Sequence, residues 1–410
     1  MHMTSTHFRI TFIIIAFISI GLLFLLSSKA ATPFLSIESD TGTVSSPALR
    51  ITDSAASGGS AVAFRPAPVA GARDPLKQPF SSNSIWNMPI GSGAVYVAAN
   101  LQAVPNNDVW APMPQIDNDI IILKPTAPMT PIRYNGAAWS GADRCPGGST
   151  VLTTVPIPST YTIPNTRDNN GAAILRPDGR TIAQMQPFTR CTSGGVATSL
   201  LTFPDVDIYG DGVSGAHGGS RMSALGGAIR MGELRPGQIG MRHSLKVNVD
   251  SERALYNCGT HNDCFRWPSL TADSGATSSY GSANNNQNTA MKMGALLAIP
   301  ASVDINSLGL LSDPGRQIAW TMQNYGAYIV DSTGGPGFAI EAEVGPDGSV
   351  RQQFQNDYGM PLEQRVNSAT SWSKDIQKIV TALRVVNNNS PTSIGGGGTP
   401  RQPLAAPIAP

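Results

Sequence analysis

The residues best equipped for chemistry fall within DIYGDGVSGAHGGSRMSALGGAIRMGELRPGQIGMRHSLKV, residues 207–247. His217, Arg221, Arg230, Glu233, Arg242, His243 and Lys246 stand there among closely spaced glycines. Ionisable groups on a backbone of so little bulk let a ligand approach main-chain N–H groups closely. Two reaction types fit. In a lyase, His217 or His243 would abstract the proton beside a uronate carboxylate, Arg221, Arg230 or Arg242 would neutralise that carboxylate, and Tyr280 would return a proton. In a glycoside hydrolase, Glu233 with Asp211 or Asp331 would form the carboxylate pair.

Each of these residues also has an ordinary structural reading. Alternation in RHSLKV sets His243 and Leu245 on one side and Arg242, Ser244 and Lys246 on the other. A core Leu245 would bury His243 with it, and the cationic side would then be solvated. Glu233 can pair with Arg230 at i, i+3. FAIEAEV places Glu341 and Glu343 on one strand face, where two solvated acids are the usual outcome. Asp331 ends AYIVDS, a position where loops leave a sheet. Trp267, in CFRWPSLTAD, either stacks on a sugar ring with Tyr280 nearby or plugs its loop. Asp273 closes that segment.

Metal and nucleotide motifs are missing. PDVDIYGDG begins like a calcium loop but offers Tyr209 and Ala216 where ligands are needed, so no metal or other cofactor is expected. No phosphate-loop lysine follows the glycines, and no Gly-x-Ser-x-Gly nominates a nucleophile.

The elements that must position these groups are mostly strands. Gly 42 and Pro 32 make 74 of 410 residues, about 18%, against roughly 12% in average usage. That surplus marks many turns. Strands are expected at DIIILKP, PIRYNG, VLTTVPIP, TYTIP, AAILRP and TIAQMQPF, with PDGR as a hairpin turn between the last two. Helices are expected over about 12 residues of SDPGRQIAWTMQNYG and from about Ser371 to Val386, where Ile376, Ile379, Val380 and Leu383 repeat at helical spacing. The expected fold is mainly β with a few helices, a single large antiparallel β-sandwich or jelly-roll-like domain over residues 80–387.

Outside that domain, ITFIIIAFISIGLLFLL at residues 10–26 is free of charge and spans roughly 26 Å as a helix, which fits a signal peptide or an N-terminal membrane anchor within residues 1–31. The chain is therefore expected outside the cell or at its surface, touching a membrane only through that segment. Residues 32–79 hold ALRIT and SAVAF, a strand–turn–strand around ASGG, and then a Pro-rich linker. Residues 388–410 have the composition of a disordered tail. A net charge of +1, with only 13% charged residues, gives nucleic acid no footing.

Four cysteines in an exported chain point to two disulfides. Three pairings are formally possible; if Cys258 and Cys264 close the short loop they bracket, Cys145 and Cys191 are left as the longer pair, worth roughly 2 and roughly 4 kcal/mol by chain entropy. The rival is a zinc site, because Cys258, His261 and Cys264 stand at C-x2-H-x2-C spacing, yet a fourth ligand is not evident.

Taken together, GAHGGSRMSALGGAIRMGEL with RHSLKV, RWP with Asp273, and YGAYIVDST resemble a pattern of secreted bacterial proteins that often carry carbohydrate-binding modules. The resemblance covers roughly residues 80–360. Residues 36–64 in turn resemble the opening of such a module, shortened to about 30 residues. These resemblances imply an extracellular, carbohydrate-related setting with a polysaccharide or cell-surface glycan as partner. The function expected is polysaccharide degradation by a lyase or glycoside hydrolase; the alternative is a non-catalytic glycan-binding or envelope-associated protein.

Overall fold

A computed structural model describes residues 48–52, 60–64, 72–101, 114–166, 168–364 and 370–408. The chain divides into two compact units, residues 1–67 and 68–410. In the first, β1 (Ala48–Thr52) and β2 (Ser60–Phe64) pair antiparallel, with Ala48 opposite Phe64 and Thr52 opposite Ser60. These are the two strands legible in ALRIT and SAVAF, while the ASGG stretch between them lies outside the described residues. The apolar N-terminal segment lies outside the described residues, and no described helix is long and apolar enough to cross a membrane.

The second unit carries the strands β3 (Tyr96–Ala98), β4 (Pro114–Ile122), β5 (Met129–Tyr134), β6 (Val151–Pro156) and β7 (Ala172–Leu175). There follow β8 (Thr181–Gln186), β9 (Ala197–Ser199), β10 (Leu201–Asp207), β11 (Ser214–His217) and β12 (Leu245–Val249). After two short helical turns, α1 (Ser251–Ala254) and α2 (Ala276–Ser279), come β13 (Leu296–Ala298), α3 (Asp313–Asn324), β14 (Ala327–Ser332), β15 (Phe338–Gly345) and β16 (Gly348–Ser349). The chain continues through α4 (Val350–Tyr358), α5 (Ser371–Ala382) and β17 (Arg384–Val386). The fold is thus mainly β with few helices.

One large sheet dominates, in the order β10-β8-β7-β4-β15-β12-β14-β13-β17-β3, with β16 paired to β15. It is mixed rather than antiparallel throughout: β4 runs parallel to both β7 and β15, and β12 parallel to β14. Both faces of such a sheet need covering, which is why its strands carry near-continuous buried runs. On one face, Val247, Val249, Ile340 and Leu297 pack against Ile318 and Met322 of α3, Phe354 of α4 and Trp372, Ile376 and Ile379 of α5. Over the other face lie Phe80, Trp86, Ala216, Met222 and Leu225, contributed by loops and by the glycine-rich run. A smaller sheet, β6-β5-β9, packs Ile132, Val155 and Ala197 onto Ile120, Ile122 and Met185. The partners of the large sheet are therefore mainly helices and coil, not the second sheet that a sandwich requires.

Helix α3 begins as its sequence dictates. The Ser312 side chain accepts the N–H of Gly315 and Pro314 sits in the first turn. Strands β7 and β8 pair antiparallel across the PDGR turn. In the TYTIP stretch only Ile163 makes a strand-like contact, an isolated bridge to Arg190.

Residues 388–408 depart from the expected disordered tail. The N–H groups of Gly91, Gly93 and Ser92 donate to the carbonyls of Gly395, Gly397 and Thr399, and that of Arg73 donates to Pro407. Backbone hydrogen bonding, which composition does not reveal, ties this glycine-rich segment to the domain. Residues 72–79, expected to be part of a linker, are held there too, through Arg73 and through Gln78, whose side chain reaches Asn87. Both disulfides are present, Cys145–Cys191 and Cys258–Cys264, which removes the cysteine-ligated zinc reading.

Candidate functional site

The glycine-rich run lies directly on charged residues of the large sheet. Its strand β11 delivers His217, and the turn that follows lies against the end of β14, where the Ser220 N–H donates to the Val330 carbonyl. Gly218 has φ +31°, and a Cβ there would stand 1.6 Å from Asp331 Oδ2; a Cβ on Gly219 would stand 2.6 Å from Asp273 Oδ1. Only glycine lets this turn seat between the two carboxylates. Farther along, Gly227 at φ +78° leaves room for the ring of Trp86 and the stem of Lys246.

Parallel pairing assembles the charges beneath it. Glu341 stands in register with Asp117, so β15 and β4 present acids on one face. On β12, Lys246 and Asn248 share that face. The register of β14 shifts between Val247 and Asn248, so that Asn248 faces Asp331 instead of the next residue in sequence. Such an irregularity re-aims a side chain, and here it brings Asp331 to the charged face.

The contacts form two layers. In the inner layer, His217 Nε2 lies 3.3 Å from Glu341 Oε2 and 3.6 Å from Asp119 Oδ1. Lys246 Nζ holds Asp119 Oδ2 at 2.8 Å and donates to the Ser223 carbonyl at 2.8 Å. Lys246, Asp119 and Glu341 are fully enclosed and His217 is 3% exposed. The outer layer is Asp117, Asp331 and Asp273. Asn169 Nδ2 donates to Asp331 Oδ2 at 2.7 Å and to Asp117 Oδ2 at 3.3 Å, and Asn248 Nδ2 donates to Asp117 Oδ2 at 3.2 Å. Asp331 Oδ1 accepts the N–H groups of Ser332 and Gly219. The Tyr280 hydroxyl donates to Asp273 Oδ2 at 2.6 Å.

The electrostatics follow from crowding in a dry site. Burial, opposed by Lys246, lifts Asp119 and Glu341 to about 7. Burial and then the charge of Glu341 lift Asp117 to about 7. His217 is pushed down to about 4, first by burial and then by Lys246, so its ring is neutral. Burial and the neighbouring Asp273 raise Asp331 well above the usual carboxylate range.

The outer layer opens to a cleft. A cavity of about 700 Å3 is lined by Asp273, Asp331, Gly218, Gly219, Arg221 and Trp139. A second, of about 280 Å3, is lined by Asp117, Asn248, Asp168 and Arg351. Trp139, Asn169, Ser332 and Gly334 line both, which makes them one surface. Trp139 is 42% exposed on a segment that the Cys145–Cys191 bridge anchors.

The sequence-nominated residues divide accordingly. Asp331, Asp273 and Arg221 line the cleft; His217 sits behind it. Tyr280 is buried and orients Asp273, with burial and then Asp273 raising its hydroxyl pKa, so it is not an exposed sugar platform. His243, Glu233, Arg230, Arg242 and Trp267 are absent from the cleft lining. His243 shares no partner with His217: its Nε2 meets Glu233 Oε2 at 3.0 Å and its Nδ1 meets the Ser244 carbonyl. Arg230 pairs with Glu343 at 2.8 Å, so Glu341 and Glu343 serve different partners. Glu233 also accepts the backbone N–H of Arg230 at 2.7 Å in a turn, so the expected i, i+3 side-chain pair is not formed. Arg242 is exposed, and Trp267 packs on the apolar cluster around Trp86, the plug role. Asp211 caps a turn by accepting the Val213 N–H. Lys246, expected to be solvated, is buried because the glycine-rich run covers the face on which alternation places it.

The His243–Glu233 pair carries a pH signature. Burial opposes protonation of His243, but the charge and hydrogen bond of Glu233 outweigh it and the pKa is raised. Stability from the pair is full below the unfolded histidine value of about 6.5 and is lost as pH rises through the higher folded value. Glu233→Gln is expected to cost about 2 kcal/mol at about pH 5 and clearly less at about pH 9. Urea melts at both pH values check this; an equal loss at both would refute it.

No family model, curated protein or solved structure matches the chain.

Proposed function

We infer that this protein is an exported carbohydrate-active enzyme that hydrolyses a polysaccharide in the cleft between Trp139 and the Asp273–Asp331 pair. The observation that carries this reading is the placement of those two carboxyl groups on either side of the Gly218–Gly219 turn, facing an open cavity of about 700 Å3. Burial and the charge of Asp273 keep a proton on Asp331, which supplies a donor for acid–base work on a glycosidic bond, with the Asp273 carboxyl as its partner at the same turn. Tyr280 and Asn169 fix their orientation. Two disulfides fit an oxidising compartment and agree with the apolar N-terminal segment.

The lyase alternative loses support because its candidate bases are out of reach. His217 is enclosed by acids and His243 is engaged by Glu233. A non-catalytic glycan-binding protein predicts no open cleft beside the glycine-rich run, and the cavity there weighs against it. Purified protein offered neutral and uronic-acid polysaccharides is expected to release new reducing ends without absorbance at 235 nm. A rise at 235 nm would turn the assignment to elimination.

Trp139 is the surface on which a sugar ring stacks, an aromatic face left exposed at the junction of the two cavities. Trp139→Ala is expected to weaken glycan binding about tenfold, roughly 1.4 kcal/mol, with the melting temperature nearly unchanged. Affinity electrophoresis on substrate-containing gels checks this, and unaltered retention would remove Trp139 from the site.

A further inference from the structure

Behind the cleft, the inner layer has polar atoms with no partner of their own. Asp119 Oδ1, His217 Nδ1 and Asn248 Oδ1 are buried without a hydrogen bond of good geometry, as are both oxygens of Glu341, whose neighbouring donor is the Asn248 amide. In a closed ionic cluster such atoms find donors, because leaving a buried acceptor unpaired is costly. Lys246 cannot supply them, since its ammonium is committed to Asp119 Oδ2 and the Ser223 carbonyl. His217 faces two carboxylate oxygens through one ring nitrogen and has a single proton to offer there.

The spacings have a different explanation. The distances of 3.3 and 3.6 Å from His217 Nε2 to the two carboxylates are long for hydrogen bonds, and the three ligand atoms lie within 4.8 Å of one another. The edge of a tetrahedron whose centre lies about 2.1 Å from each corner, the usual zinc–nitrogen and zinc–oxygen length, is roughly 3.4 Å.

We propose that Asp119, His217 and Glu341 bind a divalent transition-metal cation of the zinc class through Asp119 Oδ1, His217 Nε2 and Glu341 Oε2. One imidazole with two carboxylates is a donor set suited to Zn2+. Two carboxylate charges and a neutral ring offset the ion, and with Lys246 on the second Asp119 oxygen the remaining positive charge faces Asp117, which interacts with both Glu341 and His217. Asn248, whose unpartnered Oδ1 is also enclosed, supplies a further oxygen. The approach runs through the smaller cavity, which Asn248 and Asp117 line. Asp331 Oδ2, 3.9 Å from His217 Nδ1, stands where a metal-bound histidine is ordinarily steadied by a carboxylate. The inference is independent of the glycan reading, because it concerns binding of the ion alone.

The test is metal titration of the purified full chain after removal of metal with a chelator. Zn2+ alone is expected to bind with one equivalent in calorimetry and to raise the melting temperature. Co2+ in its place is expected to give the intense visible bands of a tetrahedral site. His217→Ala and Glu341→Gln should each weaken binding at least tenfold. If either variant fails to fold, X-ray absorption of the wild-type Zn2+ form decides: a shell of one imidazole nitrogen with oxygens and no sulfur is expected. The proposal is overturned if no stoichiometric binding occurs, if folded His217→Ala or Glu341→Gln binds as wild type, or if the absorption spectrum contains no imidazole.

Discussion

Asp331→Asn is expected to lower polysaccharide hydrolysis by about a thousandfold while the protein stays folded, and Asp273→Asn is expected to do nearly the same. A positioned proton donor or acceptor contributes roughly 10²–10⁴ in rate, and an amide of the same shape can neither give up nor accept the catalytic proton. The substitution at Asp331 preserves the groups that hold its side chain in part, since the amide oxygen can still accept from the Ser332 and Gly219 N–H groups. The loss should therefore fall on kcat with KM little changed. The double variant should be scarcely worse than either single one, because a donor and an acceptor that work on one bond act as a unit. Multiplying losses would show instead that the two acids work independently.

Lys246→Met is expected to destabilise the protein by about 3–5 kcal/mol, the range for removing one partner from a buried ion pair. Methionine keeps much of the apolar stem that fills the space under Gly227 and Trp86 but removes the cation that touches Asp119 at 2.8 Å. The Ser223 carbonyl loses its donor as well. Chemical denaturation reads the difference. A change below about 1 kcal/mol would mean that Lys246 does not balance the acids around it.

The outline of the fold was legible because turns and caps are local. PDGR announced the β7–β8 hairpin, ASGG the β1–β2 pair, and Ser312 with Pro314 the start of α3. The glycine-rich run was legible as a backbone of little bulk, and Gly218 and Gly219 serve as close-approach residues against Asp331 and Asp273. The inner layer was not legible. Asp119 and Glu341 are more than 200 residues apart and meet through the parallel pairing of β4 and β15, which no local spacing records. A signal did exist: acids set among apolar residues in QIDNDIII and FAIEAEV, inside strands whose apolar positions are mostly buried. It reads as a solvated face unless both sides of the sheet are known to be covered. Lys246 was misplaced for the same reason. Trp139 escaped notice because it stands in an irregular loop, with neither periodicity nor charged neighbours to mark it.

The measurement that bears most directly on the central claim is release of reducing ends from a panel of polysaccharides by wild-type protein and Asp331→Asn side by side, with circular dichroism confirming equal folding. Cleavage of at least one polysaccharide by the wild type and a loss of about three orders of magnitude in the variant are expected. Cleavage that survives the substitution, or none on any polysaccharide, would contradict that claim.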